Sequence, residues 1–207
     1  MPSKVILSIL RVCVSILYYL LLIFTVAFIV VSILNFSGYD QGAELTRKTF
    51  SYEVLAFGPK NPEISSSYSS DSLVRYYPIQ NHYTVEVQPN SAFGYYAFIT
   101  KLIFLALGIG ILWNFKKIFR ETNLDYPFKI SITRRLKFLA ALFIISDVLK
   151  IINYILFNSI LHQSIASPRF QLLTDIGDGL TTGLIIFIIS IIYQRGTALQ
   201  EETSLTV

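Results

Sequence analysis

Charge is scarce in this sequence. Asp, Glu, Lys and Arg together supply 14% of the residues, where a soluble domain carries about a quarter. Too little polar surface is available to cover the 53% that is apolar. With a mean hydropathy of +0.57, lipid is the expected solvent for much of the chain. Cysteine is nearly missing too. Cys13 stands alone inside an apolar run, which excludes an intrachain disulfide and a cysteine metal site. It reads as a small apolar side chain facing lipid or another helix. His82 and His162 lack ligand spacing and read as exposed loop residues. Asp175-Ile176-Gly177-Asp178-Gly179 is too short and too poor in ligands for a calcium loop. Gly108-Ile109-Gly110 has no strand before it and so makes no nucleotide fingerprint. No nucleophile–base pair can be assembled. The expectation is a non-enzyme with no metal and no cofactor.

What the sequence does hold is four apolar stretches, at about residues 12–36, 93–115, 136–161 and 172–193. Each meets the ~20 residues that a helix, rising about 1.5 Å per residue, needs to cross the hydrocarbon core. The first follows Lys4 and Arg11 but runs well past the ~7–15 apolar residues of a signal peptide, with no good cleavage site after it. It reads as a retained helix.

Basic residues set the direction. Lys4 and Arg11 precede the first stretch. Lys116, Lys117, Arg120, Lys129, Arg134, Arg135 and Lys137 gather between the second and third, opposed by Glu121 and Asp125. Residues 37–92 instead set Arg47, Lys48, Lys60 and Arg75 against Asp40, Glu44, Glu53, Glu63, Asp71 and Glu86. Both termini and the basic loop 116–135 are therefore expected in the cytoplasm, with 37–92 outside. Tyr95, Tyr96, Trp113 and Tyr193 suit the two interfaces. The expected fold is an all-α integral membrane bundle of four transmembrane helices with a small β-rich extracytoplasmic insertion. A tail and first helix would occupy 1–36, the insertion 37–92, helices two to four 93–194, and a cytoplasmic tail 195–207.

Within the insertion, residues 49–57, 73–77 and 82–87 are rich in β-formers and partly alternate. Gly58-Pro59-Lys60-Asn61-Pro62 and Pro78-Ile79-Gln80-Asn81 punctuate them. A small antiparallel sheet is expected, with 65–72 as a polar loop. Too small to stand alone, the sheet should rest on the helix ends. It reads either as a sensing or partner-binding module or as a cap over the bundle.

The apolar stretches carry Lys101, Asp147, Lys150, Asp175 and Asp178. Counted from the inner helix ends, Asp147 would lie about 15 Å deep, Lys101 and Lys150 about 20 Å, and Asp178 about 24 Å. A charge facing lipid costs at least ~2.5–3.5 kcal/mol, so a network of Lys101, Asp147, Lys150 and Asp178 should face inward and pair. Asp147 and Lys150 can also pair as i,i+3 neighbours, with Tyr154 and Asn158 on the same stripe. Two readings follow. One is a proton or ion path, or an outward pocket; the other is an ion-pair network fixing helix packing. Apolar inner halves, and Gly177, Gly179 and Gly183 as close-approach residues, favour packing.

Two segments carry a family resemblance. Asn123-Leu124-Asp125-Tyr126-Pro127-Phe128 is followed by Arg134-Arg135-Leu136. The chain ends Tyr193-Gln194-Arg195-Gly196-Thr197-Ala198-Leu199-Gln200-Glu201-Glu202-Thr203-Ser204-Leu205-Thr206-Val207. Over about residues 118–207 this resembles the YoaS-like bacterial four-helix membrane proteins (domain of unknown function 2975). Members carry a Pro-Phe segment before a basic pair and a tail reading roughly Arg-Gly-x-x-Leu-x-Glu-Glu-x-x-Leu-Thr-Val/Ile. Residues 37–92 depart from the shorter members. The resemblance implies a multi-pass protein of the bacterial cytoplasmic (inner) membrane. Members are often encoded beside a small helix-turn-helix transcription regulator, which it implies as a cytoplasmic partner; direct nucleic-acid binding by this chain is not expected, because its basic residues sit in short segments between apolar runs.

The candidate partner surface is the tail (Gly196, Leu199, Glu201, Glu202, Leu205) with the loop residues Pro127, Phe128, Arg134 and Arg135. The terminal Leu205-Thr206-Val207 would dock either on the chain's own Pro127-Phe128 loop or on a basic DNA-binding protein. The function expected is a non-enzymatic membrane sensor or regulator. The alternatives are a small transporter or ion/proton channel using the intramembrane charges, and a purely structural membrane protein. Oligomeric state is not legible.

Overall fold

In the computed structural model the described residues are 2–37, 50–57, 67–68, 75–76, 82–122, 128–164 and 169–205. In chain order the elements are α1 (Pro2–Phe36), β1 (Phe50–Phe57), β2 (Ser67–Tyr68), β3 (Arg75–Tyr76), β4 (His82–Val87), α2 (Ala92–Glu121), α3 (Ile130–Ser164), β5 (Arg169–Leu172) and α4 (Asp178–Leu205). All four helices are long and apolar enough to cross a membrane.

Helix α1 is apolar all round, and most of its large side chains stay exposed. That pattern suits a helix solvated by lipid. It packs along α2 through aromatic pairs: Tyr18 with Trp113 at 5.6 Å, Phe28 with Phe98 at 5.8 Å, and Phe36 with Tyr95 at 4.9 Å. Helix α2 starts where the Ser91 hydroxyl accepts from the Gly94 amide at 2.9 Å, satisfying one of the first-turn donors.

The main sheet has strand order β4-β1-β5, with both pairings antiparallel. Strand alternation divides its faces. Val54, Ala56, Phe170 and Leu172 turn inward onto Phe157 and Leu161 of α3. Ser51, Glu53, Thr84 and Glu86 point out. Phe50 and Val87 continue the buried face onto Ala97 of α2, with Phe28 and Phe36 of α1 beside them. The sheet thus sits on the ends of three helices.

Several expectations change here. The strand expected at 73–77 is the two-residue β3, which pairs with β2 in a separate ribbon. β2 falls inside the segment 65–72 expected as a polar loop; the rest of that segment and the turns at 58–62 and 78–81 lie outside the described residues. The third strand of the main sheet comes instead from β5, between α3 and α4, so the sheet is not confined to the insertion 37–92. The fourth helix accordingly starts at Asp178 and not near 172. Alternation in Arg169-Phe170-Gln171-Leu172 makes this segment a strand: two apolar side chains reach the core while the backbone completes the β1 ladder. His162, expected in a loop, lies in the last turn of α3 with a ring nitrogen 3.0 Å from the Phe170 carbonyl.

Candidate functional site

Helix α4 begins partway along α3, and a clasp from α3 holds its first turn. Asp147 is 4% exposed, and its Oδ2 accepts from the Gly177 amide at 2.9 Å and the Leu180 amide at 2.8 Å. Lys150 Nζ lies 3.3 Å from Asp147 Oδ1 and donates to the Asp175 carbonyl at 3.0 Å. A helix start leaves its first amides without partners and carries partial positive charge. Asp147 answers both needs from a neighbouring helix. Gly177 turns the chain into α4 with φ at +114°, a conformation that suits glycine.

Gly179 and Gly183 bring α4 hard against α3. A Cβ on Gly179 would stand 2.7 Å from the Phe143 carbonyl oxygen and 2.8 Å from Asp147 Oδ1. On Gly183 it would meet Ile144 Cγ1 at 2.8 Å and the Ala140 carbonyl oxygen at 2.9 Å. Only small residues allow helices to approach so closely.

The stripe continues up α3 to the sheet. The Tyr154 hydroxyl donates to Gln171 Oε1 at 3.0 Å, and Asn158 Oδ1 accepts from the Leu172 amide at 2.8 Å. Asn153, which the sequence did not single out, accepts from the Tyr96 hydroxyl of α2 at 2.8 Å. One face of α3 therefore grips β5, the connection 173–177 and the start of α4.

Of the four charges expected to form one network, Asp147 and Lys150 meet, while Lys101 and Asp178 form no ion pair with them among the described residues. Lys101 Nζ sits over the rings of Phe50 at 4.7 Å and Tyr52 at 5.1 Å. Burial, reinforced by neighbouring Tyr96, pushes the Tyr52 phenol up to about 12. The ring stays neutral, and the contact is a cation–π interaction. Asp178 opens α4 with an exposed side chain, and no ion pair joins it to Lys101 or Lys150 among the described residues. Its height above the inner end of the helix is as reckoned, but the later start places it in the first turn of α4. Asp178 as an acidic residue in the first turn is the signal for this helix start.

The opposite end of the bundle is basic. Arg135 Nη2 pairs with Glu121 Oε1 at 2.8 Å, Lys129 Nζ donates to the Glu121 carbonyl at 3.2 Å, and Arg11 Nη2 donates to the Phe119 carbonyl at 3.1 Å. Phe128 packs on Tyr193 with ring centroids 5.0 Å apart, and a Cβ on Gly196 would come within 2.5 Å of the Phe128 ring. Gly196 is thus closed over by the chain itself. The tail expected as a separate piece from 195 continues α4 to Leu205. Leu199, 64% exposed, and the exposed Glu201 and Glu202 each hold contacts of their own. Arg134 is exposed. Pro127, Thr206 and Val207 lie outside the described residues.

Among the described residues, no three His, Cys, Asp or Glu side chains gather closely enough to hold a metal ion. Removing the carboxylate tests the clasp. Asp147→Ala is expected to speed amide hydrogen exchange at Gly177 and Leu180 by roughly fivefold or more, as loss of a helix cap does. Unchanged protection at both amides contradicts the clasp.

The family model described as "Protein of unknown function (DUF2975)" matches residues 71–207. The match reaches further towards the N-terminus than residue 118, where the resemblance in sequence began. No curated protein and no solved structure matches the chain. The matched residues take in β3, β4, the clasp and every helix but α1, well over half of the chain. The chain therefore belongs to this family of proteins of unknown function, DUF2975.

Proposed function

We propose that this protein is a multi-pass regulator of the bacterial cytoplasmic membrane, sensing at its outer sheet and holding or releasing a cytoplasmic partner through α4. The carrying observation is that β5 runs into α4 through residues 173–177, with Asp147 and Lys150 clasping the junction. A load on the sheet therefore pulls directly on a helix of 28 residues, about 42 Å long at 1.5 Å per residue. Its far end carries Leu199, Glu201 and Glu202 at the basic pole of the bundle.

Orientation follows from charge. Lys116, Lys117, Arg120, Arg134, Arg135 and Lys137 gather at the pole opposite the sheet, and basic residues stay on the cytoplasmic side. An acidic tail end suits a basic partner, such as a small helix-turn-helix regulator. Transport draws less support, because Asp147 and Lys150 are occupied by each other and by backbone groups. Flux through proteoliposomes that Asp147→Asn abolishes would favour transport over regulation.

The partner is tested by pull-down in mild detergent. The full chain is expected to recover a cytoplasmic protein that a chain ending at Arg195 loses. Equal recovery by both would remove the tail's role.

A further inference from the structure

At the basic pole, a groove of about 410 Å³ opens between the first turns of α3 and the last turns of α4. Thr133, Arg134 and Lys137 line it from α3, and Gln194, Thr197 and Glu201 from α4. Arg134 and Lys137 are exposed and lie one turn apart on a single helix face. Lys137 Nζ donates to Gln194 Oε1 at 2.9 Å, bridging the two helices across the groove. Thr133 is 7% exposed, and its hydroxyl has no hydrogen-bond partner among the described residues. The start of α3 adds the partial positive charge of a helix N-terminus. Glu201, on the other wall, is engaged in a contact of its own. Two cations against one carboxylate leave one positive charge in surplus, which matches a single phosphodiester.

Both walls run on into apolar surface. Phe138 lies four residues beyond Arg134 on α3, and Ile191 three residues before Gln194 on α4. At those spacings they extend the faces that line the groove, and both are exposed. A soluble anion gains nothing from such a stripe, whereas acyl chains do.

We propose that this groove seats the headgroup of an anionic phospholipid, with its phosphate against Arg134 and Lys137 and its acyl chains along Phe138 and Ile191. The seat rests on the membrane-spanning reading above and gives the basic pole a ligand. Basic pockets between helices at the cytoplasmic face suit anionic headgroups on electrostatic grounds. Occupancy would bridge the first turns of α3 to α4 beside the tail, so inner-leaflet composition would bear on the partner surface.

The test adds phosphatidylglycerol, phosphatidylcholine or inorganic phosphate to the purified full chain in neutral detergent, reading thermal unfolding and bound mass by native mass spectrometry. Phosphatidylglycerol is expected to raise the unfolding temperature and to remain bound as a discrete mass; the other two are not. Arg134→Gln with Lys137→Gln should weaken its apparent affinity roughly tenfold or more. Lys117→Gln, whose Nζ lies over the Trp113 ring at 4.5 Å, should leave it unchanged.

Equal binding of phosphatidylcholine, full binding by the double variant, or the same shift from inorganic phosphate overturns the proposal. If the double variant does not fold, lipid selectivity of the wild type decides alone. A micelle has no sides, so the result is independent of orientation. A chain that stayed monodisperse without detergent would instead undo the membrane-spanning reading, an outcome distinct from lipid selectivity.

Discussion

Replacing Phe157 with alanine is expected to cost about 3–5 kcal/mol, the range for emptying a well-packed aromatic site. Phe157 is fully buried and lies where α3 meets the sheet. Its ring packs 4.7 Å from that of Tyr52 in β1 and 5.0 Å from that of Phe93 in α2. Removing it opens a cavity bounded by three elements, and a strand pair held by backbone bonds cannot collapse into that space. The sheet should therefore loosen from the helices before the bundle itself comes apart. Hydrogen exchange is expected to rise first at Val54 and Leu172, with the unfolding midpoint falling as well. Ile155→Ala supplies the control, since Ile155 is exposed on the same helix and should cost far less. Equal losses from the two variants would mean that the sheet is not seated on α3 as described.

Gly179→Leu is expected to drive α3 and α4 apart. Any β-carbon there meets the Phe143 carbonyl oxygen at 2.7 Å and Asp147 Oδ1 at 2.8 Å. The first atom is helix backbone, and the second is held by the Gly177 and Leu180 amides, so neither can step aside cheaply. Overpacking of this kind typically costs about 1–3 kcal/mol, and here it also pulls the clasp open. Gly177→Ala makes the informative comparison. Nothing lies within 4 Å of a β-carbon at Gly177, so its cost comes from the positive φ alone, about 1–2 kcal/mol. Cysteine pairs across α3 and α4 should keep cross-linking in Gly177→Ala and lose it in Gly179→Leu. Retained cross-linking in the leucine variant would contradict the close helix contact.

The helices were legible because a run of about 20 apolar residues has few other uses. β1 and β4 were legible from their β-forming residues and partial alternation. β5 was not, because Phe170, Leu172, Leu173 and Ile176 merge into the hydropathy of the helix that follows. A strand of four residues leaves too short a period to separate the two. The same merging moved the expected start of α4, which put Asp178 inside a helix and not in its first turn. Asp147 and Lys150 could be paired from their spacing, but what they hold could not, since a backbone amide leaves no mark in the sequence. Lys101 was expected to face a carboxylate and instead faces two rings. A half-buried cation has both kinds of partner open to it, and here β1 brings the rings of Phe50 and Tyr52 to it. Near the C-terminus, the Pro-Phe and Arg-Gly segments were recognisable as a pair, and the contact of Phe128 with Gly196 gives one physical reason for glycine at that position.

In the proposed topology the sheet and the end of α4 occupy opposite sides of the membrane. With Cys13 replaced by serine to clear the background, single cysteines at Ser67 and Glu202 can be probed in whole cells with a membrane-impermeant thiol reagent. Ser67→Cys is expected to be labelled in intact cells and Glu202→Cys only after permeabilisation. Labelling of both positions in intact cells, or of neither until the membrane is opened, would contradict that topology.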